Sequence, residues 1–151
     1  MRATGRYLLD TNVVLHATRE RSTVSQAIDA QFGLSASRFR PAICEVSIGE
    51  LLAFARSSQW GDKRKARLAE QLDRSLVIPI AHPGVHQRWA EMSSTLQSAG
   101  VAIGQNDIWI GATASVVGLT VLSTDKDFTQ LAKLGLVEAT VLDARTGVIV
   151  G

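Results

Sequence analysis

Two patterns of apolar residues alternate along the chain. Short apolar runs, such as Tyr7-Leu8-Leu9 and Val121-Leu122, are typical of buried strands. Between them, apolar residues recur three or four positions apart, which places them on one face of a helix. The pattern predicts strands over 7–9, 41–43, 76–80, 120–123 and 140–142, and helices over 11–18, 23–32, 44–57, 61–74, 82–99 and 106–117. This alternation predicts an α/β fold, an α/β/α sandwich around a mainly parallel sheet.

The starts of two helices have local signals. Pro83 fits a first turn, where its missing N–H is not needed, and His82 before it is the expected cap. Asn106 is the expected cap of the helix that ends before Gly118. No repeat, low-complexity tract or linker divides the sequence, so a single domain over residues 1–151 is expected.

Two acids follow predicted strands. Asp10 ends the first strand, and Asp125 follows the strand Val121-Leu122-Ser123. The carboxyl ends of parallel strands share one edge of a sheet, and ligands bind outside that edge. Either Asp taken alone is better explained as a turn or helix-cap residue. A functional interpretation therefore depends on further acids.

Two such acids lie on predicted helices. Glu50 has Val46, Ala53 and Phe54 at helical spacing, a largely apolar face on which a carboxylate is costly without a cation or donors. Asp107 begins a helix that is apolar or small on every side and is therefore expected to be buried. The helix dipole favours Asp in a first turn, but it gives no reason to carry that acid into the interior.

Four carboxylates in one pocket would repel one another and raise one another's pKa. A divalent cation removes this repulsion, and Mg²⁺ or Mn²⁺ suits oxygen ligands. Such an ion can activate water and compensate charge on a phosphate. Without a dedicated His or Cys nucleophile, the set points to phosphodiester hydrolysis, with these catalytic and metal-binding residues: Asp10, Glu50, Asp107 and Asp125.

Four segments resemble, in order and spacing, the four motifs of PIN domains. They are Leu8-Leu9-Asp10-Thr11-Asn12, Cys44-Glu45-Val46-Ser47-Ile48-Gly49-Glu50-Leu51-Leu52, Asn106-Asp107-Ile108-Trp109-Ile110-Gly111-Ala112-Thr113-Ala114 and Leu122-Ser123-Thr124-Asp125-Lys126-Asp127-Phe128. Cys44 stands where the family commonly has Ser. Each motif alone is weak evidence, but the ordered set covers essentially the whole chain. The short length and motif style most resemble the VapC toxins of bacterial toxin–antitoxin pairs.

The resemblance implies a PIN-like fold and a Mg²⁺-dependent endoribonuclease, with Mn²⁺ as a substitute ion. It implies structured RNA as the substrate, commonly tRNA or rRNA, a small antitoxin as a partner, and a homodimer. The fourth acid is either Asp125 or Asp127, and we favour Asp125 because it is nearer the strand end. Four residues are candidates to orient the carboxylates, with ordinary capping as an equal alternative: Thr11, Asn12, Ser47 and Thr124.

Other classes fit less well. Haloacid-dehalogenase phosphatases need a second Asp two residues after the first, where this chain has Asn12. Phosphoacceptor receiver domains need adjacent acids near the start, and none are visible. The remaining alternative is a catalytically inactive PIN scaffold that only binds a partner protein or RNA, and the complete acidic set argues against it.

Charge adds one open question. The excess of 16 Lys+Arg over 14 Asp+Glu is too small to indicate nucleic acid by itself. The basic run Lys63-Arg64-Lys65-Ala66-Arg67 predicts either a track for an RNA backbone, extended by Arg38 and Arg40, or a solvated helix face with a Glu70–Arg74 pair.

The remaining features argue against other kinds of site. Cys44 is the only cysteine, which excludes an intrachain disulfide, and no signal peptide or membrane-length apolar segment is present, so a cytoplasmic protein is expected. His82 and His86 are four apart but make a poor zinc site without Cys ligands. The aromatic side chains expected as core or interface anchors are Trp60, Trp89 and Trp109.

Overall fold

The computed structural model describes residues 7–35 and 40–150. Its strands are β1 Tyr7–Leu9, β2 Ala42–Cys44, β3 Leu76–Ile78, β4 Thr120–Ser123 and β5 Ala139–Val141. They form one sheet in the order β3-β2-β1-β4-β5, and all of its pairings are parallel. The chain extends the sheet from β1 through β2 to β3 and then returns to the other side of β1. This reversal makes the carboxyl ends of β1 and β4 the place where ligands are expected to bind.

Helices cover both faces of this sheet. They are α1 Thr11–Thr18, α2 Thr23–Phe32, α3 Glu45–Ser57, α4 Asp62–Arg74, α5 Val85–Ala99, α6 Gln105–Val117 and α7 Asp127–Lys133. Neighbouring strand residues point to opposite faces. Leu8 and Val121 therefore belong to a core with α5, α6 and α7, and Leu9 and Leu122 to a second core with α1 to α4. The predicted α/β/α sandwich with a parallel sheet is confirmed.

The predicted start of α5 is wrong. The helix begins at Val85, after Gly84, whose φ of 93° suits glycine and no ordinary L residue. His82 and Pro83 lie before that point in a turn, in which the His82 N–H donates to the Pro79 carbonyl at 3.1 Å. His82 therefore does not cap the helix. Pro79 also explains why β3 ends at Ile78, since proline has no N–H for a ladder.

The start of α6 and the existence of α7 also differ from the sequence prediction. Gly104 is the N-terminal cap of α6, so Asn106 lies in its first turn and its side chain is used elsewhere. The short α7 has seven residues, too few for apolar spacing to reveal it. Its buried Phe128 and Leu131 hold it against the sheet.

The basic run lies on α4, and part of it supports the end of α1. Arg67 Nε donates to the Thr18 carbonyl at 2.6 Å, and Arg64 Nε donates to Thr18 Oγ1 at 3.1 Å. These bonds satisfy polar groups at a helix C-terminus. The Arg64 guanidinium also lies 3.7 Å from the ring centre of the buried Trp60. This part of the run therefore has a packing role.

Other predictions about the surface have mixed outcomes. Arg40 donates to the Ser75 carbonyl at 3.1 Å, and Arg38 lies outside the described residues. In the described ranges the single ion pair joins Arg88 and Glu91. The predicted Glu70–Arg74 pair on α4 therefore does not form. Trp89 and Trp109 stack on each other with ring centres 5.0 Å apart. None of the helices in these ranges has the length and apolar character that crossing a membrane requires.

Candidate active site

Asp10 is a buried carboxylate held on both oxygens. It follows β1 with an exposed fraction of 3%. Its Oδ1 accepts a bond from the Thr11 N–H at 2.8 Å, and its Oδ2 accepts one from the Ser123 hydroxyl at 2.7 Å. Burial raises the pKa of Asp10 to about 6, against the effect of these two bonds, and the charges of Asp125 and Glu50 raise it further. Asp10 caps α1 and also faces the other acids.

Glu50 is held beside it by Thr11. The Thr11 hydroxyl lies 2.6 Å from Glu50 Oε1 and 2.9 Å from Ser47 Oγ. A hydroxyl carries one hydrogen and a carboxylate carries none, so Thr11 donates to Glu50 and accepts from Ser47. The Asn106 amide donates to Glu50 Oε2 at 3.2 Å. Both oxygens of Glu50 are therefore oriented by neighbouring side chains.

The predicted apolar surroundings of Glu50 are wrong. Its supposed apolar neighbours Ala53 and Phe54 are exposed, and the buried face of α3 consists of Ser47, Leu51 and Ala55. Glu50 is half-buried at the border between these faces. It is held there by polar donors and not by an apolar environment.

Three further carboxylates form a tight group. Each of Asp107, Asp125 and Asp127 offers an oxygen within 4.8 Å of the others. Burial raises the pKa of Asp107 to about 8, and the charges of Asp10 and Asp125 and a hydrogen bond with Asp127 add to this. The hydrogen bond with Asp127 needs a proton between the two carboxyls, so the metal-free group favours a protonated state that a bound cation would replace.

Ser123 joins Asp10 to this group. Its hydroxyl donates to Asp10 and accepts a bond from the Asp125 N–H at 2.9 Å. Asp125 Oδ1 in turn accepts from the Asp127 N–H at 2.9 Å, which shapes the start of α7. The carboxyl ends of β1 and β4 and the first turns of α6 and α7 therefore bring these acids together. Both candidates for the fourth acid lie at the site.

Sequence reasoning missed two supporting side chains. The sequence places Ser123 only in a strand, although a polar residue at the buried end of β4 can indicate a nearby acid. The sequence predicts Asn106 as a helix cap, whereas its amide donates to Glu50. Thr11 binds the Glu50 carboxylate directly, and Ser47 acts on it only through the Thr11 hydroxyl.

The donor set suits a hard cation. All of the grouped side chains offer carboxylate oxygens, and no other cluster of metal-ligating residues occurs within residues 7–35 and 40–150. His82 and His86 are exposed and lie outside the group. The thiol of Cys44 is buried 3.4 Å from the Thr113 hydroxyl, and burial raises the pKa of that thiol. Oxygen-only ligands favour Mg²⁺ or Mn²⁺ over zinc.

Comparison with known proteins decides the family. The family model described as PIN domain matches residues 7–134 and includes all of the acids described above. The chain belongs to the PIN domain family. Residues beyond this match include β5, which pairs with β4 in the same sheet.

Relatives of this PIN chain carry ribonuclease names. Ribonuclease VapC2 of Haemophilus influenzae is 26% identical over 120 residues, which cover 80% of this chain and 86% of that protein. Ribonuclease VapC4 of Mycobacterium tuberculosis is 28% identical over 105 residues, which cover 64% and 81%. Among solved structures, VapBC2 from Rickettsia felis bound to a promoter DNA fragment has a TM-score of 0.73 at 20% identity and covers 88% of this chain and 96% of that one. This last similarity shows the fold.

Proposed function

We propose that this PIN chain is a metal-dependent endoribonuclease and the toxin of a toxin–antitoxin pair. The observation that supports the chemistry is the group of Asp107, Asp125 and Asp127 within 4.8 Å, next to the buried Asp10. Like charges this close raise one another's pKa and destabilise the ionised site. A bound cation would compensate these negative charges. Folding alone gains nothing from placing the carboxylates so close together.

Asp10, Glu50, Asp107 and Asp125 are the proposed ligands, and Mg²⁺, with Mn²⁺ as a substitute, is the proposed ion. PIN nucleases in general depend on divalent metal, and Mg²⁺ uses a few carboxylates with water at its other positions. When bound, the ion compensates negative charge on the reacting phosphodiester and lowers the pKa of a bound water. Asp127 is a fifth acid, within 4.8 Å of both Asp107 and Asp125, whereas Asp10 and Glu50 are not members of that group of three.

The protein's own groups position this chemistry. Ser123 and the Thr11 N–H fix the orientation of Asp10, and Thr11 and Asn106 fix that of Glu50. Fixed carboxylates need little reorganisation when a phosphodiester binds, which is the main contribution of such a site to phosphoryl transfer. Asp107, with its raised pKa, is the acid that loses a proton when a cation binds.

The toxin assignment rests on the relatives, which are named VapC ribonucleases, and on solved VapBC toxin–antitoxin complexes of the same fold. We infer that a small antitoxin binds this chain. A segment carrying Arg would suit the negative acid site, since guanidinium binds carboxylates in bidentate fashion. RNA, commonly tRNA or rRNA, is the proposed substrate, and the homodimer stays a prediction.

Incubation of the purified protein with total RNA tests the nuclease proposal. Cleavage is expected with Mg²⁺ or Mn²⁺, and none is expected with excess EDTA or with the folded Asp107→Asn variant. Cleavage that persists in EDTA would contradict the metal-dependent mechanism. Tight RNA or protein binding with no cleavage under any condition would favour the inactive scaffold.

Expression in bacteria tests the toxin proposal separately. The wild-type chain alone should arrest growth, and the Asp10→Asn chain should not. Co-expression of a short neighbouring gene should restore growth. Harmless expression of a chain that cleaves RNA in the purified assay would reject the toxin role and leave the nuclease role standing.

A further inference from the structure

A groove leads away from the acid site along α1. It has a volume of about 590 Å³ and lies between Asn12, His16 and Arg19 on one side and Thr124, Asp125 and Lys126 on the other. Asp125 belongs both to this groove and to the acid group. The groove therefore adjoins, at Asp125, the site at which the scissile phosphate is proposed to bind.

The groove carries charges of both signs. Besides Asp125 it contains Lys126, the next residue in the chain, and Arg19 at the end of α1, both exposed. Neither has a salt bridge to an acid within the part of the chain that the structure describes. The pKa of the Arg64 guanidinium is lowered by burial and by the charges of Arg19 and Arg67, so these three cations lie near one another. Arg64 and Arg67 bind Thr18, which places this positive charge at the end of α1.

Arg19 is not needed to complete the helix. The Thr18 carbonyl at the end of α1 accepts from Arg67, and the Arg19 N–H donates to the His16 carbonyl. Among residues 7–35 and 40–150, the Arg19 guanidinium has one weak contact, 3.4 Å from His16 Nδ1. Its side chain is therefore free to bind an anion in the groove.

We propose that this groove, defined by Arg19, Lys126, Asn12 and Thr124, binds the RNA phosphate next to the scissile one. The proposal rests on the ribonuclease function. An acid site repels a polyanion, so a strand that reaches it gains from cations that hold its neighbouring phosphate. Arg19 offers a guanidinium fork and Lys126 a point charge, while Asn12 and Thr124 offer neutral polar groups to the same strand.

Binding of RNA in EDTA tests this groove without requiring cleavage. The probe is a short fluorescein-labelled oligouridylate, and its anisotropy is followed with the full chain over a series of salt concentrations. The test variant is Arg19→Ala with Lys126→Ala. The control is Lys63→Ala with Lys65→Ala, which removes the same charge from exposed positions on α4. Arg19→Lys with Lys126→Arg keeps the charge and serves as the conservative variant.

The groove variant should raise Kd roughly 10-fold and reduce the slope of log Kd against log salt by about 0.7 for each lost phosphate contact. The α4 control should change Kd by less than about 2-fold, and the conservative variant should bind nearly as wild type. Equal losses in the groove and α4 variants, an unchanged Kd in the groove variant, or no RNA binding by the wild type would overturn the proposal. If only the groove variant loses RNA affinity and the wild type cleaves no RNA in Mg²⁺ or Mn²⁺, the groove proposal is supported and the nuclease function is rejected.

Discussion

The Ser123 hydroxyl donates to Asp10 Oδ2 at 2.7 Å, across the boundary between β4 and β1. Ser123 is fully buried and Asp10 nearly so. The same hydroxyl accepts from the Asp125 N–H. The Ser123 side chain thus orients Asp10 and the loop that carries Asp125. Its bond to Asp10 links the carboxyl ends of the neighbouring strands β1 and β4.

Replacement of Ser123 by Ala should lower cleavage. The change removes a bond that favours the ionised form of Asp10, so the pKa of Asp10 should rise further, and it leaves the Asp125 N–H without its acceptor. Loss of such a supporting bond typically costs about 10- to 100-fold in activity or metal affinity. The matched control is Ser93→Ala, since Ser93 Oγ is buried with no hydrogen-bond partner among the described residues. Equal activity of the two variants would remove Ser123 from its positioning role.

Separate Asn variants of Asp125 and Asp127 should differ. The charge of Asp125 raises the pKa of both Asp10 and Asp107, and that of Asp127 raises the pKa of Asp107. Asp125 therefore lies between the two parts of the site. Asp125→Asn should lower kcat/KM by more than the roughly 100-fold that loss of a supporting bond costs, and Asp127→Asn by less. The reverse order would make Asp127 the fourth ligand.

The metal-free protein should lose stability as the pH rises. The pKa of Asp10 is raised from 3.8 to about 6, and that of Asp107 from 3.8 to about 8. The folded form therefore holds protons that the unfolded chain has already lost, and the free energy of unfolding falls with pH in that interval. Their contribution is fully present below about 3.8 and is lost as the pH passes these raised values.

Thermal unfolding in EDTA, followed by circular dichroism, measures this dependence. The fall in Tm should be smaller in Asp107→Asn, which has no proton to lose. Asp73→Asn, at an exposed position on α4, should behave as wild type. A Tm that rises over the same interval, or equal flattening by both variants, would contradict the assignment of the buried protons.

Arg67 should contribute to stability more than its neighbour Lys63. It donates to the Thr18 carbonyl at 2.6 Å, and Lys63 is exposed. Arg67→Ala should lower the free energy of unfolding by about 1–2 kcal/mol, since the acceptor at the end of α1 loses a charged donor. Lys63→Ala should change it by less than about 0.5 kcal/mol. Urea unfolding of both variants measures the difference. Equal changes in the free energy of unfolding would show that Arg67 contributes no more than an ordinary surface residue.

Most of the sheet and the acids could be predicted from sequence because each depends on a local pattern. Buried strands are short apolar runs, and Asp10 and Asp125 follow two of them. The start of α5 was placed too early, because Pro83 suits the first turn of a helix as well as the turn that precedes Gly84. The bonds of Ser123 and Asn106 join segments distant in the chain, so the sequence can mark a polar side chain at the end of a strand but cannot name its partner.

Calorimetric titration with Mn²⁺ tests the central claim most directly, because it asks whether the acids hold a cation. The titration is run near neutral pH in two buffers of different ionisation enthalpy, with the wild type, Asp107→Asn and the exposed control Asp73→Asn. The wild type and the control should show saturable binding with proton release. Asp107, with its pKa of about 8, must release its proton to the buffer before its carboxylate can bind the ion. Asp107→Asn should bind far more weakly and release fewer protons. No Mn²⁺ binding by the wild type, or unchanged binding and proton release in Asp107→Asn, would contradict the account.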